Sequence, residues 1–314
     1  MPQVSVIIPT YKHRNFVLLA LESVFAQTFT DYEVIVINDG SPDDTAEVLR
    51  PLVEQGRIRY IEQRNQGQAT ARNRGISEAK GEFIALLDDD DEWPSDKLLW
   101  QVEALKANPE AILVYGFVKL AMGGNEYCYP DADAPSGWVF DQFVSEGWIR
   151  SPGQTLIRKS VLRDVGGFDS SIWGTDDWEL YIRLAKQGPF IYGHHLSLNY
   201  RYHESNASHD YWKMYRNALK VLWKHFGKVP TPSNFRQRKA CLRFLQKFCS
   251  GDAESNARQL MSQNQWTRAG VTWLRCIYIK PTLLRRRYIW KNLILCFSPS
   301  WTAGKWRRLH SLVV

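Results

Sequence analysis

The sequence contains no run of about 18 apolar residues, the length that an ordinary membrane-spanning helix needs. It has no acidic residue beyond Glu254. Its five cysteines (Cys128, Cys241, Cys249, Cys276 and Cys296) are scattered, and no two form a CxxC pair. An odd number of thiols without metal-ligand spacing argues against a disulfide framework or a structural zinc site and fits a reducing compartment. The first residues, MPQVSVIIPTY, enter strand-like sequence at once, without the basic segment and apolar stretch of a secretory leader. The expectation is a cytoplasmic chain, in which the Asn206-Ala207-Ser208 sequon carries no meaning. The P-loop, dinucleotide-binding, nucleophile-elbow and zinc-protease signatures are also missing. A phosphate-bearing ligand would then be held through a metal and scattered cations rather than a glycine-rich loop.

What is present is an ordinary globular composition. Of 314 residues, 44% are hydrophobic and 23% charged, which excludes wholesale disorder and allows two domains, or one large domain with an extension. The net charge of +7 is unevenly placed. Residues 255–314 carry 11 Lys and Arg, leaving the first 254 residues with 29 basic against 33 acidic side chains.

The first half alternates strand and helix. Val4–Ile8 is a β-branched run ending at Pro9, and residues 14–26 carry Phe16, Val17, Ala20, Leu21, Val24 and Phe25 at helical spacing. Glu33–Ile37 reads as a second strand, followed by Asn38-Asp39-Gly40-Ser41 and a helix start at Ser41-Pro42-Asp43-Asp44. Further strands are expected at Ile58–Ile61, Glu82–Leu87 and Ala111–Tyr115, with helices over 68–79 and 95–107. Such alternation implies an α/β fold, a mostly parallel sheet flanked by helices. Ligands of such sheets sit beyond the carboxyl ends of the strands. Thr10 and Tyr11, Asp39, and Asp88–Asp91 all fall on that edge.

Leu86-Leu87-Asp88-Asp89-Asp90-Asp91-Glu92 places five carboxylates directly after an apolar strand. In extended chain Asp88 and Asp90 would face one way and Asp89 and Asp91 the other. Carboxylates held this close repel unless a cation sits between them, and hard oxygen ligands suit Mg²⁺ or Mn²⁺. A solvated acidic turn capping the next helix through Ser95 and Asp96 is the alternative.

The segments VSVIIPTYKHRNFVLLALESVFAQTFTDYEVIVINDGSPDDT, NQGQATARNRGI, GEFIALLDDDDEW, GGFDSSIWGTDDWELYIRLAKQG and YRYHESNAS together resemble a bacterial-type, nonprocessive family 2 glycosyltransferase of the GT-A fold, over roughly residues 3–208. The resemblance implies nucleotide contacts at Pro9, Thr10 and Tyr11 and base recognition by Asp39, whose carboxylate can accept the imide hydrogen of uracil. It places Arg72 near the diphosphate or ribose. Asp88 and Asp90 match the DxD positions: Asp88 would hold the ribose or metal, Asp90 would ligate Mn²⁺ or Mg²⁺ directly, and Asp89 between them joins the donor-binding set. His203 is a further metal or diphosphate ligand by the same resemblance. The family's base falls at the second acid of Thr175-Asp176-Asp177, hence Asp177, with Asp176 as runner-up. Either residue could instead serve the helix start, where acids favour the dipole.

The implied enzyme is inverting and metal-dependent, moving one sugar from a nucleotide-sugar, UDP-linked by family habit, to a hydroxyl of a glycan or lipid-linked acceptor. Trp148, Gln154 and Trp173 are candidates for the acceptor pocket, since sugars stack on aromatic faces. The polymerase-type QxxRW pattern is absent, which favours a single addition per visit. A nucleotidyltransferase would want a glycine-rich basic loop where this chain has Pro9-Thr10-Tyr11-Lys12-His13. A non-catalytic sugar- or membrane-binding relative would be marked by loss of Asp90 or Asp177, and both are present.

Residues 1–210 thus read as the transferase domain, with a nucleotide-binding half over about 1–117 and an acceptor half over about 118–210. Residues 211–314 read as a helical basic extension, with amphipathic helices at Tyr211–Phe226 and 235–249. Arg285-Arg286-Arg287 and Lys305-Trp306-Arg307-Arg308 are its densest cationic clusters, interleaved with Trp266, Trp273, Trp290 and Trp301. No nucleic-acid motif accompanies this charge. Basic helices with tryptophans suit an anionic bilayer, so residues 255–314 are expected to touch the inner face of the cytoplasmic membrane.

Overall fold

The computed structural model describes residues 1–122, 125–130, 133–203, 206 and 210–297. Ala207 and Ser208 of the sequon, and the tryptophans and cations beyond residue 297, lie outside them. The chain divides into two compact units, Met1–Asn206 and Ala207–Val314.

The first unit is built on strands β1 (Val4–Thr10), β2 (Tyr32–Asn38), β3 (Arg59–Glu62), β4 (Phe83–Leu86), β5 (Leu113–Met122), β6 (Asn125–Tyr129), β7 (Thr155–Arg158) and β8 (Phe190–Tyr200). They form one sheet in the order β3-β2-β1-β4-β7-β5-β6, with β8 also paired to β5. Strands β1 to β4 pair in parallel. β7 then enters antiparallel between β4 and β5, so the second half of the sheet is mixed. Four residues, Thr-Leu-Ile-Arg, make up that inserted strand, too few for alternation to announce it. β5 is twice the length that its apolar start suggests, because its second half is an arm that pairs with β6 and β8.

Both faces of the sheet are covered, which is why β1 is buried along its whole length and reads as a continuous aliphatic run. Alternate side chains serve opposite layers. Val4, Val6, Ile8, Val34 and Val36 pack with helices α1 (Arg14–Phe25), α2 (Thr45–Glu54) and, through Leu98 and Val102, α4 (Lys97–Ala107). Ile7, Ile35, Ile37, Ile84 and Leu86 pack on the other side with α3 (Gln68–Glu78), α5 (Phe140–Ser145), α6 (Lys159–Asp164) and α7 (Asp176–Leu184). The strand ends that emerge between these layers carry the polar residues.

The second unit contains α8 (Tyr211–Phe226), α9 (Phe235–Ser262), α10 (Trp266–Ile279) and α11 (Arg287–Phe297). α9 runs well past residue 249 because Ala253, Ala257 and Met261 continue its buried stripe at a spacing of four through a polar-looking stretch. Its core gathers Trp273, Cys249, Cys276 and Cys296, so these thiols are packing groups. Among the described residues no helix is long and apolar enough to cross a membrane.

β5 and β8 approach most closely at Gly116, where the register shifts. A Cβ there would lie 2.2 Å from the carbonyl oxygen of His195 and 2.3 Å from Ser197 Oγ. Gly116→Ala is therefore expected to lower the unfolding free energy by about 1–3 kcal/mol. Gly251, inside α9 with open space around it, gives the contrast: its change to Ala should be neutral or stabilise by up to about 1 kcal/mol. Urea unfolding followed by circular dichroism measures both.

Candidate active site

β4 delivers its chain to the carboxyl edge, and there the strand ends. Asp91 N donates to Asp88 O at 3.1 Å, closing a turn, so the side-to-side alternation expected of extended chain does not continue through the four aspartates. Each instead finds its own partner. Asp91 turns inward: Ser151 Oγ donates to it at 3.2 Å and the amide of Arg201 at 3.1 Å. It is fully buried, and burial holds its carboxyl above the usual range.

Asp88 turns toward α3. Its Oδ1 accepts from Arg72 at 2.6 Å and from Gln68 Nε2 at 3.0 Å. The other terminal nitrogen of Arg72 donates to Asp176 Oδ2 at 2.9 Å. Arg72 is buried beneath the Phe168 ring. Burial opposes its charge, but Asp88 and Asp176 outweigh it and keep the guanidinium ionised. Both terminal nitrogens thus serve carboxylates, Asp88 on one side and Asp176 on the other. Nε alone is buried without a partner.

Asp89 and Asp90 face the histidines. Asp89 Oδ1 lies 2.9 Å from His13 Nδ1, and Asp90 Oδ2 lies 2.9 Å from His203 Nε2. Asn206 Nδ2 donates to the same Asp90 oxygen at 3.3 Å. The hydrogen bond that its ring donates to Asp89 raises the His13 imidazole above its ordinary value against the opposing effect of burial. Burial, then the charges of Asp88 and Asp89, push the Asp90 carboxyl up to about 6. Phe16, in the first turn of α1, stacks on His203 at 4.9 Å and meets His13 edge-on at 5.6 Å, holding the two imidazoles over the acids.

Ligand atoms of His13, Asp89 and Asp90 lie within 4.8 Å of one another, the one such group among the described residues. Asp89 Oδ2 is buried with no hydrogen-bond partner. An orphaned carboxylate oxygen and a neighbouring carboxyl whose ionisation is disfavoured are both relieved by a divalent cation. Carboxylates with an imidazole suit Mn²⁺, and carboxylates with water suit Mg²⁺. The residues therefore fit such a cation, with His13 in the group and Asp88 turned away to Arg72.

The remaining donor-side residues lie on the same edge. Pro9 is buried past the point where β4 stops pairing with β1, so its missing amide hydrogen costs no ladder bond on that side. Thr10 Oγ1 is buried without a partner, and Tyr11 is exposed. Asp39 is buried after β2. Its Oδ1 accepts from Gln63 Nε2 at 2.7 Å and Gln66 N at 3.0 Å, its Oδ2 from Gly67 N at 2.8 Å. It thereby shapes the turn into α3 and keeps a lone pair on Oδ2.

α7 opens with the two candidate bases, and no side-chain cap covers its first turn. Asp176 is tied to Arg72. Among the described residues Asp177 forms no ion pair, and it accepts from the amide of Trp178 at 2.7 Å. Burial, then the charge of Asp176, push its carboxyl up to about 7, with Arg72 opposing. Thr175 Oγ1 beside them is buried without a partner.

The three acceptor candidates separate. Trp173 lies partly exposed just before α7, and Trp148 packs half-buried on the core. Gln154 is fully buried, and both ends of its amide meet backbone: Oε1 accepts from Arg150 N and Ser151 N, and Nε2 donates to Gly116 O. Both ends of its side chain are thus engaged with the surrounding backbone. Sequence reasoning passed over His13, Phe16, Gln68, Ser151 and Asn206. For His13 a signal existed, since it stands three residues after Thr10 on the ligand-bearing edge.

Known proteins identify the family and the fold. The description "Glycosyl transferase family 2" matches residues 5–166, more than half of the chain, and the chain belongs to that family. An uncharacterized glycosyltransferase of Rickettsia felis is 34% identical over 185 residues, covering 59% of this chain and 30% of the relative. The chain thus spans under a third of that relative's length. S. aureus TarS 1–349 in complex with UDP-GlcNAc superposes with a TM-score of 0.62 at 18% identity, covering 95% of this chain and 89% of that one. The mannosyltransferase PcManGT of Pyrobaculum calidifontis, in complex with GDP-Man and Mn²⁺, gives 0.56 at 16% identity, covering 96% and 88%. These similarities establish the GT-A fold.

Removing the guanidinium that joins Asp88 to Asp176 leaves a buried acid, Asp176, and a half-buried one, Asp88, without a counter-charge. Arg72→Met is expected to cost about 3–5 kcal/mol of stability at neutral pH. The deficit should shrink as pH falls through the carboxylate range, because the orphaned acids then take up protons. Thermal melts of the variant and the parent from pH 4 to 8 measure the difference.

Proposed function

We propose that the chain moves one sugar per visit, with inversion, from a UDP-sugar to a hydroxyl of a glycan or lipid-linked acceptor on the cytoplasmic side of a membrane. The observation that carries the reading is the unequal fate of Asp176 and Asp177. Burial raises both carboxyls, but Asp176 is ion-paired with Arg72, whereas Asp177 has no ion pair among the described residues and is raised to about 7, the range in which a general base combines availability with strength. Asp177 takes the proton of the acceptor hydroxyl. The freed oxygen attacks the anomeric carbon opposite the nucleotide, and the bond to the diphosphate breaks as the new one forms. A single displacement needs no carboxylate nucleophile.

Asp90, with Asp89, His13 and His203, would hold Mn²⁺ or Mg²⁺. When bound, the cation neutralises charge developing on the departing nucleoside diphosphate. Asp88 serves the ribose side of the donor, steadied by Arg72 and Gln68. Asp39 Oδ2 accepts the imide hydrogen of uracil, with Thr10 and Tyr11 beside it. The UDP-GlcNAc complex of the similar TarS supports a uridine donor, while the GDP-Man and Mn²⁺ complex of PcManGT makes GDP the natural control. Trp173 supports a sugar ring on the acceptor side.

Asp177→Asn should lower transfer by about 10²–10⁴-fold while leaving UDP binding intact. In the parent enzyme, activity should rise with pH through about 7 and level off above it, since the base works deprotonated. A carboxyl raised on folding opposes folding once pH exceeds its unfolded value, and fully so above about 7. The Asn variant should therefore melt no lower than the parent at pH 8. Calorimetric titration with UDP, GDP and dTDP, with and without Mn²⁺, tests the donor site. UDP binding that needs Mn²⁺ and is lost in Asp90→Ala is expected; equal binding with and without the ion, or in the variant, would remove the metal from the proposal.

A further inference from the structure

α10 and α11 are amphipathic on two sides. Inward, Ala269, Trp273, Cys276 and Ile279 of α10 share a core with Ile289, Leu295 and Cys296 of α11. Outward, α10 exposes Val271, Leu274 and Tyr278, and α11 exposes Trp290, Ile294 and Phe297. These spacings of three and four set each trio on one helical face. The two faces adjoin: the Phe297 ring lies against Gly270, where a Cβ would come within 2.5 Å of it.

The exposure is considerable: Tyr278 is 66% exposed, Ile294 60% and Trp290 51%. Contiguous apolar surface of this kind marks an interaction site rather than ordinary scatter. The charge around it selects the partner. Residues 255–297 hold eight Lys and Arg and no acid, and Arg285, Arg286, Arg287 and Lys291 are exposed beside the α11 stripe. Nucleic acid would answer the charge and leave the aliphatic stripe unexplained. An anionic bilayer answers both, with aliphatic groups in the acyl boundary, Trp and Tyr at headgroup level, and cations among the phosphates.

We propose that the α10–α11 face seats the second unit on an anionic lipid bilayer. The residues of the seat and those of the donor site belong to different units of the chain, so UDP binding and vesicle binding are separate readouts.

Co-sedimentation of the full chain with phosphatidylglycerol/phosphatidylcholine vesicles, and with pure phosphatidylcholine, tests it. Binding is expected to be at least tenfold stronger to the anionic vesicles. Leu274→Ser with Ile294→Ser should weaken it tenfold or more, as should Arg285→Gln, Arg286→Gln and Arg287→Gln together. Far-UV circular dichroism and UDP titration should not change in either variant. The charge variant alters exposed side chains alone, so it keeps the test intact if the serine variant unfolds. Three results would overturn the proposal: no vesicle binding, equal binding to both lipids, or undiminished binding in the serine variant, which would assign the affinity to the cations beyond residue 297. Self-association without lipid that the serine variant abolishes would also overturn it, by making a second copy the occupant.

Discussion

Arg72 sits under a constraint from both sides. One terminal nitrogen holds Asp88, at the end of β4, and the other holds Asp176, at the start of α7. Two elements separated by more than eighty residues of sequence are thus joined by one buried guanidinium. Its planar fork can hold two carboxylates in fixed directions, which a lysine point charge cannot. The neighbouring Asn73 extends the link: its amide donates to Phe168 O and accepts from Phe168 N, both at 2.8 Å, and the Phe168 ring lies over Arg72. Adjacent residues on α3 thereby anchor both the loop before α7 and the first turn of α7 itself.

That bridge sorts the acids of the crevice. Asp88 and Asp176 share the single charge of Arg72, and Asp91 is consumed in hydrogen bonds that fasten the turn to Ser151 and Arg201. What remains reactive is what remains under-compensated. Asp89 keeps an orphaned oxygen, Asp90 resists ionisation beside its neighbours, and Asp177 is held as a high-pKa carboxyl at a helix start. A surplus of negative charge in a buried place costs stability unless a ligand supplies the opposite charge. The local instability and the capacity to bind a cation, or to take a proton, are one electrostatic fact seen at different residues.

The sheet edge was legible in the sequence because β1, β2 and β4 are largely buried on both faces and therefore written as aliphatic runs, each followed by the polar residue it presents. Val4–Ile8 leads to Thr10, Glu33–Ile37 to Asp39, and Phe83–Leu87 to Asp88. The partners of the acids were less legible. Arg72 was noticed through its resemblance to a family motif, yet its two carboxylates lie 16 and 104 positions away, a pairing that no local pattern encodes. The alternation assumed for Asp88–Asp91 failed because a turn, closed by a single backbone hydrogen bond, replaces strand geometry there. His13 escaped notice for a simpler reason: a lone histidine in a loop acquires meaning only when Asp89 and Phe16 are brought to it.

Gln154 lies fully buried within a network of backbone and side-chain hydrogen bonds behind the crevice. The chain from Gly153 to Thr155 is buried beside the site, and a buried connection must have its carbonyls satisfied. Three consecutive carbonyls are met by three side chains of one segment: Trp93 Nε1 donates to Gly153 O at 2.9 Å, Gln101 Nε2 to Gln154 O at 2.8 Å, and Lys97 Nζ to Thr155 O at 3.1 Å. Burial holds the Lys97 amine well below its ordinary value, while the carbonyl and the face of Trp93 at 3.9 Å favour the charged form. The Gln154 side chain closes the arrangement by holding the amides of Arg150 and Ser151. Ser151 in turn donates to Asp91. The chain of contacts therefore runs from a buried lysine on α4 to the acidic turn, and the rigidity of that turn, on which the spacing of Asp88, Asp89 and Asp90 depends, is set from behind by residues that never face the crevice.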